Sequence, residues 1–349
     1  MKEVRRYLRT LRGHRGPLLR TLCLMAGILG LLLYLTRHHH ELHSTKPLYF
    51  VSIGDYGAGN ATQQAVADQL AKTVGEYGVQ FILTLGDNFY SRGVTSLEDP
   101  IWQKRFEAVY HHPSLQVPWY ITLGDHDHRG NVSAQLLYTE RSERWHLPSP
   151  YYLQQVALSE ERHLDIVVTD SIALEGALAV GPKERRFFND YTQQWVDAQA
   201  GKAHLDWLEA TLANSTADWC IVAGHRPAKT AADRDRFRGD FALMEVLPPL
   251  LSRHSVDAYL SGHDHVGQHF EEGHVQFLGN GLGGYKTHVV SADASALWVE
   301  TGFNGFLLHK VTNKELTSSF IDSEGRTRYT TKILSQSKRR AKQAGLRFI

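Results

Sequence analysis

The sequence predicts an α/β fold in which one large domain follows a short N-terminal targeting segment. Short apolar runs rich in β-branched and aromatic residues alternate with helical patterns along most of the chain. Five apolar runs end in a glycine followed by a residue that metals favour, so five side chains can converge past the ends of strands. Once the N-terminal segment is set aside, the rest of the 349 residues suits one substantial core better than two.

The predicted strands are 48–53, 81–85, 119–123, 166–169, 219–223 and 258–260, followed by a β-rich end at 275–278, 305–311, 316–321 and 327–333. Helical patterns fall at 61–77, 101–110, 191–213 and 241–254. Residues 175–189, with Lys183, Arg185, Arg186 and the pair Phe187-Phe188, are expected to form an exposed loop over the site. No internal repeat or low-complexity tract is present.

Seven basic residues (Lys2, Arg5, Arg6, Arg9, Arg12, Arg15 and Arg20) precede the apolar stretch 21–35, and only Glu3 opposes them. That pattern predicts a membrane-targeting helix. Residues 1–20 form the basic segment, 21–36 a signal anchor, 37–46 a polar stalk, 47–334 the catalytic domain and 335–349 a basic tail. A weak cleavage site favours an uncleaved anchor with its N-terminus in the cytosol over a cleaved signal peptide or a buried core helix. The chain is therefore expected to be a single-pass type II membrane protein with its catalytic domain lumenal or extracellular; cleavage would leave it secreted or lysosomal. Asn60, Asn131 and Asn214 open sequons that such a compartment would expose to glycosylation, with Asn214 the farthest from the other motifs.

The formal net charge of +1, from 38 basic and 37 acidic residues, gives no basic stripe for nucleic acid. Cys23 and Cys220 are the two cysteines, and their settings make a mutual disulfide implausible. The unusual count is 20 histidines.

Gly54-Asp55-Tyr56-Gly57, Gly86-Asp87-Asn88-Phe89-Tyr90, Gly124-Asp125-His126-Asp127-His128, Gly224-His225-Arg226-Pro227 and Gly262-His263-Asp264-His265 are the five motifs. A Gly-Asp pair alone is a common turn, and a lone histidine after a strand is more often a hydrogen-bonded core residue. Two histidines at i and i+2 on one turn, His263 and His265, can aim at neighbouring ions. Together and in this order, the five indicate a dinuclear metal hydrolase acting on phosphate esters.

On these residues the chain resembles the calcineurin-like metallophosphoesterases, and within them the small, mammalian-type purple acid phosphatases. Asp87-Asn88-Phe89-Tyr90, the stretch Asp127-His128 with Gly130-Asn131-Val132-Ser133-Ala134-Gln135, and Arg144-Trp145 with Pro148-Ser149-Pro150-Tyr151 carry the likeness. The resemblance implies two mixed β-sheets packed as a sandwich between helices, an α/β/β/α arrangement. It implies Asp55, Asp87, Tyr90 and His265 around an Fe(III), and Asp87, Asp125, His225 and His263 around a divalent Fe(II), Zn(II) or Mn(II). That division suits the donors, because carboxylate and phenolate oxygens favour a hard trivalent ion while imidazoles suit the divalent ones. The implied reaction is hydrolysis of phosphate monoesters by a metal-bridging hydroxide, with His126 as general acid and Asp127 orienting or charge-stabilising it. Asn88, His128 and Arg226 are candidate substrate contacts, with His128 equally a surface histidine and Arg226 equally a solvated side chain.

Asp125 stands where the resembled family has asparagine. An ionised Asp125 lowers the formal charge of the loaded site by one unit, which should tighten divalent-metal binding and weaken attraction for a phosphate dianion. A phosphodiesterase or nucleotide-pyrophosphate hydrolase, and a catalytically weakened metal-binding surface protein, are the rival readings. Expected partners are small phosphate esters or phosphoproteins and a membrane, with the protein monomeric.

Overall fold

The computed structural model describes Met25 and residues 46–178, 186–189, 194–233, 241–291 and 295–335. Apart from Met25, Lys46 and Ser335, the expected membrane-targeting helix, stalk and basic tail lie outside the described residues. Among the described residues no helix is long and apolar enough to cross a membrane. The chain divides into the units Met1–Lys46 and Pro47–Ile349, and the fold that follows is that of the second.

One seven-stranded sheet has the order β16 (Thr327–Leu334), β15 (Glu315–Asp322), β14 (Gly305–Val311), β1 (Leu48–Ile53), β2 (Phe81–Thr84), β3 (Trp119–Tyr120) and β4 (Trp145–His146). From β1 to β4 its strands are parallel, and from β14 to β16 antiparallel. A second seven-stranded sheet has the order β13 (Ala296–Glu300), β11 (Gly267–Glu272), β12 (Val275–Asn280), β10 (Ala258–Ser261), β9 (Trp219–Ala223), β6 (His163–Val168) and β5 (Tyr152–Ala157). Its centre, β12-β10-β9-β6, is parallel. A separate antiparallel pair joins β7 (Arg186–Asn189) to β8 (Gln194–Asp197).

Side-chain alternation explains why two sheets form. In β9, Trp219, Ile221 and Ala223 face the core shared with Phe50 and Ile53 of β1, while Cys220 and Val222 face the opposite way. That outer face is covered by Leu208 and Leu212 of the helix Ala198–Asn214 and by Leu243, Leu247 and Leu251 of the helix Phe241–Arg253. The first sheet is covered by the helix Ala61–Tyr77, which turns Val66, Leu70 and Val74 inward at four-residue spacing. Asn60 caps that helix by accepting the Gln63 N–H at 2.9 Å, and Asn131 caps the helix Val132–Tyr138 in the same way at 3.0 Å. Asn214 is exposed at the end of its helix.

Several elements differ from the sequence pattern. The expected strand 119–123 shortens to Trp119–Tyr120, because the Thr122 N–H turns to the Thr84 hydroxyl at 3.0 Å. The expected helix 191–213 starts at Ala198, because β8 occupies the residues before it. The expected exposed loop at 175–189 opens instead within the helix Ser171–Leu178, where Glu175 is buried, and contains β7. Strands β5, β11 and β13 were not anticipated, since runs such as Gln154-Gln155 and Gln268-His269 lack a continuous apolar signal.

His309 illustrates how a polar residue is carried in the core. Its ring stacks on Phe50 at 4.3 Å, and its nitrogens meet the Ser52 and Ser318 hydroxyls at 2.9 and 2.8 Å. Burial pushes its pKa down to about 3, so the folded state keeps it neutral. The unfolded chain takes up that proton first, and stability therefore falls as pH drops from about 6.5 towards 3, by roughly 2–3 kcal/mol at about pH 4.5. Melting temperature measured against pH should show this acid limb, and His309→Gln should flatten it.

Candidate metal centre

All five motifs leave the C-terminal ends of parallel strands. Three follow β1, β2 and β3 in the first sheet and two follow β9 and β10 in the second, so the site forms where the sheet ends face each other. Close backbone approach explains the glycines. A Cβ on Gly124 would collide with the Asp87 main chain, and Gly86, at φ 86°, lies against the His225 ring. Asp55, Asp87 and His263 themselves hold positive φ of 58°, 53° and 65°.

The donors gather in two groups. Tyr90 donates its hydroxyl to Asp55 Oδ1 at 2.7 Å, and His265 Nε2 lies 2.9 Å from that oxygen and 3.0 Å from the Tyr90 hydroxyl. In the other group, Asp125 Oδ1 is 3.1 Å from both His225 Nε2 and His263 Nδ1. Asp87 stands between them, with Oδ1 at 3.4 Å from His225 Nε2. Ligand atoms of Asp125, His225 and His263, of Asp55, Asp87 and His225, and of Asp87, Asp125 and His126 each lie within 4.8 Å of one another. Backbone carbonyls aim the imidazoles: Leu85 O holds His225 Nδ1 at 2.7 Å and Lys286 O holds His265 Nδ1 at 2.6 Å, leaving both Nε2 atoms for the site.

The electrostatics favour cations here. Burial and then the Asp125 charge push the Asp87 pKa up, and burial followed by Asp55 and Asp87 pushes the Tyr90 phenol up. Burial opposes charging of His225, yet Asp87, Asp125 and Asp55 outweigh it and raise that imidazole to about 10. Asp125 Oδ2 is buried without a hydrogen-bond partner, an expensive arrangement for a carboxylate that a cation would relieve. These donors therefore fit two metal ions sharing Asp87, with the oxygen-rich group suited to the harder ion.

The structure brings Asp55, Asp87, Tyr90, Asp125, His225, His263 and His265 together and puts His126 beside them, partly exposed. The His126 side chain retains 14% exposure; its Nδ1 meets Ser91 O at 2.6 Å and its Nε2 lies 3.8 Å from both Asp87 and Asp125. Four other expectations are corrected. Asp127 does not orient His126: its carboxylate accepts the main-chain N–H groups of Gly124 at 2.9 Å and Asn88 at 3.1 Å, and the Gln135 amide at 3.0 Å. It thereby ties the third motif to the second. Asn88 is fully buried, its amide donating to Thr122 O at 3.0 Å, and is turned away from any substrate. His128 is paired with Asp170 at 2.9 Å rather than aimed at phosphate. Arg226 is neither solvated nor open to phosphate, being 3% exposed with Nη1 at 2.7 Å from His263 Nε2.

Residues unsuspected from sequence also shape the site. Tyr285, 37% exposed, stacks at 4.0 Å on the ring of Tyr90, and His126 approaches Tyr90 at 4.4 Å. No motif marks Tyr285 or Asp170, because each acts through a long-range contact.

The calcineurin-like phosphoesterase family matches residues 48–267, which include all five motifs. The chain belongs to this family. It is similar to tartrate-resistant acid phosphatase type 5 of Oryctolagus cuniculus, at 33% identity over 84% of this chain and 93% of that one. The same protein of Homo sapiens gives 33% identity over 83% and 92%, and purple acid phosphatase 4 of Arabidopsis thaliana gives 32% over 84% and 87%. Among solved structures, GAP50, the anchor in the inner membrane complex of Plasmodium, superposes with a TM-score of 0.70 at 25% identity, covering 83% of this chain and 90% of that chain. Purple acid phosphatase PPD1 from yellow lupin shares the fold at a TM-score of 0.61 and 14% identity, over 83% of this chain and 54% of that chain. The family and the acid phosphatase relatives at 32–33% identity make the chain a metal-dependent phosphatase.

Asp127 should matter for assembly rather than proton transfer. Asp127→Ala strands two buried N–H groups and the Gln135 amide, and should lower stability by about 2–4 kcal/mol and reduce bound metal. His126→Ala should change stability by less than about 1 kcal/mol and leave metal content intact. Calorimetry with elemental analysis of both variants checks the contrast.

Proposed function

We propose that the chain is an acid phosphatase that hydrolyses phosphate monoesters at a dinuclear centre of Fe(III) and a divalent Fe(II), Zn(II) or Mn(II). The observation that carries this reading is the placement of Tyr90, whose hydroxyl lies with His265 Nε2 on Asp55 Oδ1. A phenol pushed up by burial and then by the surrounding carboxylates becomes phenolate only beside a strongly acidic cation, which supports a hard trivalent ion at this pole.

When bound, the two ions supply an acidified water as nucleophile and draw electron density from the phosphoryl oxygens. Asp55, Tyr90 and His265 would hold one ion and Asp125, His225 and His263 the other, with Asp87 available to both. His126 is assigned the proton donation. With Nδ1 committed to Ser91 O, Nε2 is the atom that carries the proton to the leaving alkoxide, and it points over the two carboxylates from the open side. Asp127 keeps the second and third motifs in register, so its contribution to catalysis is indirect.

A rim of partly buried His126 and exposed Tyr285 suits small phosphate esters or phosphorylated side chains of proteins. The basic and then apolar N-terminal sequence supports a lumenal or extracellular catalytic unit tethered to a membrane.

Elemental analysis of the purified protein should find iron and a second metal, with a visible charge-transfer band that Tyr90→Phe abolishes; a colourless, iron-free protein would overturn the assignment. His126→Ala should lower turnover of an alkyl phosphate by about 100-fold or more, and of an aryl phosphate with a good leaving group much less. Equal losses on both substrates would remove His126 from the proton-donor role.

A further inference from the structure

We infer that the loop 284–288 is a clip for the harder ion's ligands, with Tyr285 as the positioning residue that holds the ring of Tyr90. This rests on the dinuclear reading above. The Tyr285 ring lies over the Tyr90 ring with centroids 4.0 Å apart and planes 8° from parallel. Three residues on, the His288 ring stacks on His265 at 4.0 Å, and between the two Lys286 O accepts from His265 Nδ1 at 2.6 Å. The backbone joins the same pair, because the His288 N–H donates to His265 O at 3.1 Å and the His265 N–H to His288 Nδ1 at 3.2 Å. One short loop thus reaches two of the three side chains assigned to that pole alone.

The loop is itself tied down along its length. The Gly283 N–H donates to Gly54 O at 2.8 Å, which joins the loop to the first motif beside Asp55. Gly284, at φ 141°, passes so close to the helix Ala61–Tyr77 that a Cβ would fall 2.7 Å from Gln63 Cα. The Asn60 amide donates to Gly284 O at 3.1 Å, the Asn304 amide to Tyr285 O at 3.0 Å and the Thr301 hydroxyl to His288 O at 2.8 Å. An aromatic side chain held this firmly yet left exposed gains little from its own burial. What it does is cover the buried Tyr90 and restrict that ring's tilt. A phenol bound to an ion through its oxygen can leave only by swinging its ring, and the Tyr285 stack opposes that motion.

A ring that merely filled the rim would affect both poles alike, and the test separates the two roles. In metal-loaded protein, Tyr285→Leu should speed loss of iron to a chelator about threefold to tenfold and leave release of the divalent ion within about twofold of wild type. The same variant should shift the charge-transfer band, whereas Tyr285→Phe, which keeps the stack, should match wild type in all three readings. Equal acceleration for both ions, an unchanged rate of iron loss or an unmoved band overturns the proposal. A Tyr285→Phe protein that behaves like Tyr285→Leu also overturns it, because the hydroxyl and not the ring would then be responsible. In metal-free protein, hydroxyl-radical footprinting should label Tyr90 more heavily in Tyr285→Leu than in wild type or Tyr285→Phe, and equal labelling of all three contradicts the clip. Absence of bound iron in the wild type would defeat the dinuclear reading instead, while the footprint still reports on the hold over Tyr90.

Discussion

Asp87 is the constraint on which the site depends. Its carboxylate belongs to two of the ligand groups, its backbone leaves no room for a side chain at Gly124, and its Oδ1 accepts the His126 N–H at 2.9 Å. Asp125 and Asp55 lie close enough to raise the Asp87 pKa further once burial has done so, and the repulsion among the three carboxylates favours a bound cation. The neighbouring order follows from the same point. Asp127 reaches back to the Asn88 N–H beside Asp87, and Leu85 O, two residues before it, sets the His225 ring. A small displacement of this one strand end would misplace ligands from both sheets.

The two-sheet architecture supplies rigidity for that arrangement. Loops carry the ligands, but each leaves a parallel strand whose alternate faces are buried on both sides, so the starting points cannot drift. The positive φ values of Asp55, Asp87 and His263 show that local backbone preference yields to this convergence.

Much of this was legible in the sequence because its signals are local. β1, β9 and β14 have the expected bounds, since each is a compact apolar run, and the metal donors sit in short motifs whose glycines mark close backbone approach. The illegible parts depend on contacts distant along the chain. Gln154-Gln155 looks like loop until its strand partner is known, and Asp127 looks like a partner for the adjacent His126 until the fold brings Gly124, Asn88 and Gln135 around it. Arg226 is the sharpest case. An arginine after Gly-His carries no sign of burial in sequence, and only the fold puts its charge beside Asp125.

The most direct test of the shared role of Asp87 is metal stoichiometry of Asp87→Ala, measured beside Asp55→Ala and His263→Ala after each is folded and purified with both metals supplied. The account predicts that Asp87→Ala loses both ions, while Asp55→Ala and His263→Ala each mainly lose one. An Asp87→Ala protein that keeps a full complement of either metal would contradict it.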